Sequence, residues 1–169
     1  YGPGGLQFSV LGSGSRGNAI VVRCGSHTIL VDAGFSCREL ERRMRWIGIE
    51  PAAVEAIVLT HEHQDHCRGA DRFAKRNKVP IYASAGTLSG KRLRRLPGAV
   101  RPFRAGAELE VGGFLVHTFG VSHDAREPVG LVLEDARGWR LGVVADLGSR
   151  GDASWSQLRD LDVLVIEAN

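Results

Sequence analysis

The chain has 169 residues, with 22 Lys+Arg against 19 Asp+Glu, six His, three Cys and 22 Gly. That length predicts one domain, spanning residues 1–169, with a substantial core, and 43 % hydrophobic with 24 % charged residues excludes disordered and fibrous classes. No apolar run approaches the roughly 20 residues of a membrane helix. The opening Tyr1-Gly-Pro-Gly-Gly lacks the basic start and apolar stretch of a secretion signal, and an odd number of cysteines argues against a disulfide scaffold. The expected setting is the reducing cytoplasm, with no membrane partner.

The elements follow in order. Apolar β-type runs Gln7–Leu11, Ala19–Cys24 and His27–Asp32 open the chain, with Gly25-Ser26 as a hairpin turn. Ser36 and Glu39 form a capping box ahead of Cys37, Leu40, Met44 and Ile47 at helical spacing, and Gly48 ends that helix. Glu39/Arg43 and Glu41/Arg45 pair on its outer face. A buried strand Ala56–Thr60, a helix from about Cys67 to Asn77, a strand Ile81–Ala83 and a basic helix near Thr87–Leu96 come next. The second half reads as strands Glu108–Val111, Phe114–Val121, Val129–Glu134 and Trp139–Ala145, a helix near Ser154–Leu161, and a last strand Asp162–Glu167. Strand-rich halves punctuated by helices give an α+β layered sandwich.

Charge is unevenly spread. Cys67 to Arg104 holds eleven Lys and Arg and one acid, Asp71, a local charge of +10 that leaves −7 for the rest. A basic concentration of this kind is the footprint of a polyanion-binding surface. Arg68, Arg72, Lys75 and Arg76 are spaced to share one helix face, and Lys91, Arg94 and Arg95 repeat the spacing. These seven are the candidate nucleic-acid contacts.

Gly12-Ser-Gly-Ser-Arg-Gly17 matches a dinucleotide-binding glycine pattern, but the strand Ala19–Cys24 follows where that pattern demands a helix. The loop keeps the ability to bring backbone N–H groups toward an anion. The decisive segment is Thr60-His61-Glu62-His63-Gln64-Asp65-His66, with four potential ligands in six residues directly after a buried strand. His61 and His63 can point one way while Asp65 and His66 point another, so one cluster can serve two adjacent ions. Imidazole and carboxylate donors without thiolates suit Zn, Mn or Fe rather than a structural cysteine-type zinc site. By alternation Glu62 and Gln64 are expected at the surface, His27 belongs to the surface, His117 is a packing histidine, and Cys67 faces the core.

His61-x-His63-x-Asp65-His66 resembles the signature of the metallo-β-lactamase superfamily, whose fold is a four-layer αβ/βα sandwich. Asp32-Ala33-Gly34, Ser122-His123-Asp124-Ala125 and Ala145-Asp146 resemble its other motifs in order. Leu11-Gly-Ser-Gly-Ser-Arg-Gly-Asn18, Ser122–Ala125 and Glu167-Ala-Asn169 are similar to the VicX/YycJ-type branch, associated with DNA exonuclease activity. The resemblance implies one metal on His61, His63 and His123, a second on Asp65 and His66, Asp146 bridging both, and Asp32 fixing a ligand histidine. Asp65, His66 and Asp146 would carry the catalytic chemistry. The family pattern continues beyond Glu-Ala-Asn with a further ligand histidine. The resemblance therefore implies a truncated C-terminal portion, an incomplete second site, and apolar surface open to self-association. The expected function is a two-metal phosphodiesterase or exonuclease acting on nucleic acid, DNA first. The alternatives are a small-molecule hydrolase of a thioester, lactone or β-lactam, and a regulatory module with incomplete ligation.

Overall fold

The structure, a computed structural model, describes residues 5–91, 93, 99–147 and 155–167. Arg94 and Arg95, with the rest of the C-terminal part of the expected basic helix apart from Leu93, the start of the helix expected near Ser154, and Ala168-Asn169 lie outside these residues. The first sheet has the order β1 (Gln7–Gly12), β2 (Ala19–Cys24), β3 (His27–Val31), β4 (Ala56–Val58), β5 (Ile81–Ser84) and β6 (Val100–Phe103). β1 to β3 run antiparallel, and β3 to β6 run parallel. The second sheet comprises β7 (Glu108–Val111), β8 (Phe114–Gly120), β9 (Val129–Glu134), β10 (Arg140–Val144) and β11 (Val163–Ile166), antiparallel except for β10 with β11. No helix among the described residues is long and apolar enough to cross a membrane.

The period-two alternation of the strands sorts their side chains into separate layers. Ile29 and Val31 of β3, with Ala56 and Val58 of β4, meet Phe114, Val116, Leu131 and Leu133 of the second sheet. Leu30, Ile57 and Leu59 point the other way, against α1 (Cys37–Trp46) and α3 (Ala70–Asn77), through Leu40, Met44, Ala70 and Phe73. On the outer face of the second sheet Phe119, Val121, Val132 and Val144 are covered by Leu147, Leu158 and Leu161. Helices, sheet, sheet and outer cover give the layered α+β sandwich read from the sequence. β6 had no counterpart in that reading, because Val100-Arg-Pro-Phe103 carries only two apolar β-formers; it is an edge strand, where proline is tolerated.

One expected helix is two. α2 (Gln64–Cys67) stops at Arg68 and α3 starts after Gly69, whose N–H donates to the Ala33 carbonyl at 2.8 Å. A side chain at Gly69 would collide with the Phe35 carbonyl and press on Leu40. The break lets the chain touch the strand that carries Asp32, and it interrupts the expected arginine face. Arg68, Arg72, Lys75 and Arg76 are all exposed, but Arg76 Nε also lies 3.2 Å from the buried Glu41 carboxylate and pairs with it. The expected helix from Thr87 is replaced over its described part by α4 (Ala85–Leu88), capped by the Ser84 side chain, and Lys91 sits in an exposed turn. Replacing Gly69 with alanine should cost roughly 2–4 kcal/mol, the range of a forced backbone overlap. Urea unfolding of the two chains measures it, and equal midpoints would show that the contact is slack.

Candidate metal centre

The candidate ligands gather where strands end. Asp32 follows β3, Thr60, His61 and His63 follow β4, Asp65 and His66 lie in the short α2 that comes next, His123 follows β8 and Asp146 follows β10. Asp32 and Asp146 both adopt positive φ, 59° and 49°, a conformation that aspartate tolerates better than most side chains and that turns each carboxylate back toward the cleft.

The hydrogen bonds of Asp32 organise this end of the fold. Its Oδ1 accepts from the Thr60 N–H at 2.8 Å, and its Oδ2 accepts from Thr60 Oγ1 at 2.8 Å and from His66 Nδ1 at 2.8 Å. With its hydroxyl proton donated to Asp32, Thr60 Oγ1 accepts from His61 Nδ1 at 3.1 Å. Both histidines thus have Nδ1 engaged and Nε2 turned inward. His61 Nε2 is buried and makes no hydrogen bond, which is costly for a polar atom unless a cation completes it.

The ligand atoms fall into two groups, each within 4.8 Å: His61, His63, His123 and Asp146, and Asp65, His66 and Asp146. Asp146 Oδ2 belongs to both, 3.4 Å from His61 Nε2, 3.7 Å from His123 Nε2 and 3.0 Å from His66 Nε2. His123 Nε2 and His63 Nδ1 are 3.1 Å apart, and Asp65 Oδ2 is 3.7 Å from His66 Nε2. Convergent imidazole nitrogens, a shared carboxylate and an orphaned buried nitrogen fit divalent metal ions. Every ligand proposed from the sequence is therefore in this cleft, and Asp32 is one bond behind it.

Electrostatics divide the two buried histidines. Burial pushes the His61 pKa down to about 3, helped by the neighbouring His66, so its ring is neutral. Burial opposes charge on His66 as well, but Asp32, Asp146 and Asp65 outweigh it and raise its pKa to about 9.

The structure adds residues to which no role had been given. Thr60 links Asp32 to His61. Asn18 holds its side-chain Nδ2 2.9 Å from His66 Nε2 and 3.5 Å from Asp65 Oδ2, while its Oδ1 accepts from Gly14 N–H at 2.7 Å. Its own N–H donates to the Asp65 carbonyl at 2.7 Å. Only the position of Asn18, closing the glycine-rich loop, marked it. Glu62, expected to be a plain surface residue, accepts from the Arg126 N–H at 2.9 Å and so fastens the loop that carries His123. Val129 N–H donates to the Thr60 carbonyl and adds a second tie. His27 is an exposed side chain paired with Glu55, His117 binds Glu108 across β7 and β8, and Cys67 is buried.

Residues 27–169 match the β-lactamase superfamily domain. The chain belongs to this superfamily, a family of hydrolases, and its two sheets with flanking helices are the metallo-β-lactamase fold. It is 32 % identical over 170 residues to the exodeoxyribonuclease YycJ of Bacillus anthracis, covering 98 % of this chain and 63 % of that protein. It is also 32 % identical over 127 residues to ribonuclease J of Sinorhizobium meliloti, across 67 % of this chain and 22 % of the relative. Among solved structures the Rm3 metallo-β-lactamase superposes with a TM-score of 0.70 at 16 % identity, over 94 % of this chain and 74 % of that one, a likeness of fold. The chain thus spans less than two thirds of the exodeoxyribonuclease.

Replacing Asp32 with Asn keeps the size but weakens the charge-assisted bond to His66. Zn affinity, measured by competition with a chromophoric chelator, should fall by about 10- to 100-fold. An unchanged affinity would mean that Asp32 serves the backbone alone.

Proposed function

We propose that this chain is a metal-dependent phosphodiesterase acting on nucleic acid, with exonucleolytic cleavage of DNA as its first activity. The observation that carries the proposal is the Asp146 carboxylate common to two ligand groups in one cleft. The names of the relatives, an exodeoxyribonuclease and a ribonuclease, support a polynucleotide substrate, and so does the exposed arginine-rich wall beside the cleft.

His61, His63 and His123 would hold one ion, Asp65 and His66 the other, with Asp146 between them. Imidazole with carboxylate suits Zn or Mn, and Fe is compatible with the same donors. Two such ions supply an activated water and neutralise charge on the scissile phosphate and its leaving oxygen. The protein's part is positional. Thr60 and Asp32 keep the Nδ1 protons of His61 and His66 occupied, so that each Nε2 is the nitrogen presented to the cleft. The ties from Glu62 to Arg126 and from Thr60 to Val129 hold the His123 loop against the first sheet. Asp65, His66 and Asp146 face the reacting phosphate, Arg68, Arg72, Lys75 and Lys91 are the exposed cations left to meet flanking phosphates, and Arg94 and Arg95 would extend them.

Incubating the metal-loaded chain with end-labelled linear DNA and RNA tests the proposal. Release of labelled nucleotides by the parent and its loss in His63→Ala are expected. Hydrolysis of a thioester or lactone with no action on either polynucleotide would overturn it. The first ligand group has three imidazoles and the second has one. Stepwise chelation should therefore strip the second ion first, and simultaneous release of both would show the sites to be equal. Phe8 and Val10 on one edge strand and Val163, Leu164 and Ile166 on the other are exposed, so this chain should self-associate. A concentration-independent monomer in sedimentation velocity would argue that these edges are harmless.

A further inference from the structure

A groove of about 720 Å³ opens beside the second ligand group. One wall is the glycine-rich loop between β1 and β2, with Ser13, Ser15 and Arg16; the other includes Gln64, Asp65 and Arg68 of the metal-bearing segment. Three arginines reach the groove, but they are not equivalent. Arg43 donates to Glu39 at 2.7 Å and to the Leu11 carbonyl at 2.6 Å and stacks over Phe35, so it is part of the wall. Arg16 and Arg68 are exposed and make no ion pair among the described residues. Glu39, the groove's other acid, is neutralised by Arg42 and Arg43, leaving Asp65 at the metal end. Arg68 is also shared with a neighbouring cavity of about 370 Å³ that Arg72 lines, so the cationic path continues away from the metals.

We infer that this groove is the binding track for a single polynucleotide strand, with Arg16 and Arg68 clamping phosphates next to the scissile one from opposite walls. The inference rests on the nuclease reading and adds to it a strand form and a new contact, Arg16. The groove's volume lies in the range that encloses one small organic molecule, on the scale of a nucleotide unit and far below that of a duplex whose major groove alone is about 12 Å wide. Two exposed guanidiniums and two serine hydroxyls lining one groove suit a phosphate carrying no sequence information. The arginine in the glycine-rich loop thus has a use that the rejected dinucleotide pattern did not supply.

The test is fluorescence anisotropy of a labelled phosphorothioate 12-mer, single-stranded or annealed, with the metal-loaded parent, Arg16→Ala, Arg68→Ala, the double variant, and Arg137→Ala as an exposed control in the β9–β10 turn, outside the groove. Each single variant should bind the single strand roughly tenfold more weakly, the worth of one charge-assisted contact. The double variant should lower the slope of log affinity against log salt by about 1.4, at roughly 0.7 per lost single-strand phosphate contact. Metal content should not change, and Arg137→Ala should match the parent. Parent-like affinity and slope in the double variant would overturn the groove even if the parent degrades DNA, leaving the nuclease proposal intact. Tighter binding of the parent to the duplex than to the single strand would overturn it as well. Arginine-dependent binding without cleavage of any polynucleotide would retain the track and overturn the nuclease proposal, and no binding by the parent would overturn both.

Discussion

The carboxylate of Asp32 is the constraint from which the rest of the cleft follows. It sits at a backbone angle that ordinarily costs an L-residue about 1–3 kcal/mol, and it accepts three hydrogen bonds of 2.8 Å from Thr60 and His66. Bonds to a charged acceptor contribute about 1.5–3 kcal/mol each, enough to offset that strain. Its own N–H donates to the Val58 carbonyl, so the ends of β3 and β4 are joined at the point where ligands leave the sheet. Through Thr60 it orients His61 and directly it orients His66. One residue behind the ligands therefore sets two imidazoles from two different ligand groups.

The same bonds explain why two histidines with nearly equal burial end up so far apart in basicity. His61 looks mainly at other imidazoles, and the opposing field of Asp32 does not offset the loss of water around its ring. His66 looks at Asp32, Asp146 and Asp65, whose combined field outweighs that loss. A neutral His61 has a lone pair ready for a cation. The carboxylates that hold a proton on His66 are the charges that would draw a second ion and displace that proton.

Much of this was legible in the sequence because the ligands cluster. Four of them lie within six residues after an apolar strand, and such density has no structural purpose on a bare loop. The central strands were legible as short apolar runs, since β3, β4, β9 and β10 are buried on both faces. Asn18 and Thr60 were not, because their roles depend on where a turn and a strand end meet in space, and small polar residues are common in both places. The break at Gly69 was invisible for a related reason. Periodicity continues through it, and only the approach of Ala33 and Phe35 in three dimensions demands that the helix stop. Arg76 pairs with Glu41, a buried partner that spacing alone could not identify.

The glycine-rich loop and the metal-bearing segment behave as one unit. Asn18 N–H bonds the Asp65 carbonyl, Gly34 N–H bonds the Asn18 carbonyl, and Ala33 N–H bonds the His66 carbonyl. Gly34 permits this contact because any side chain there would overlap the Asp65 carbonyl. The loop that presents Arg16 is thus anchored to the backbone of two candidate ligands rather than hanging free at the rim. A strand held by that loop, as proposed, would be positioned against the candidate ligands through hydrogen bonds that do not depend on side-chain rotamers, the arrangement that effective orientation of a substrate requires. Binding surface and reaction centre share a backbone here, so a substitution that shifts Asn18 would disturb both together, whereas one confined to the Arg16 side chain would disturb only the first.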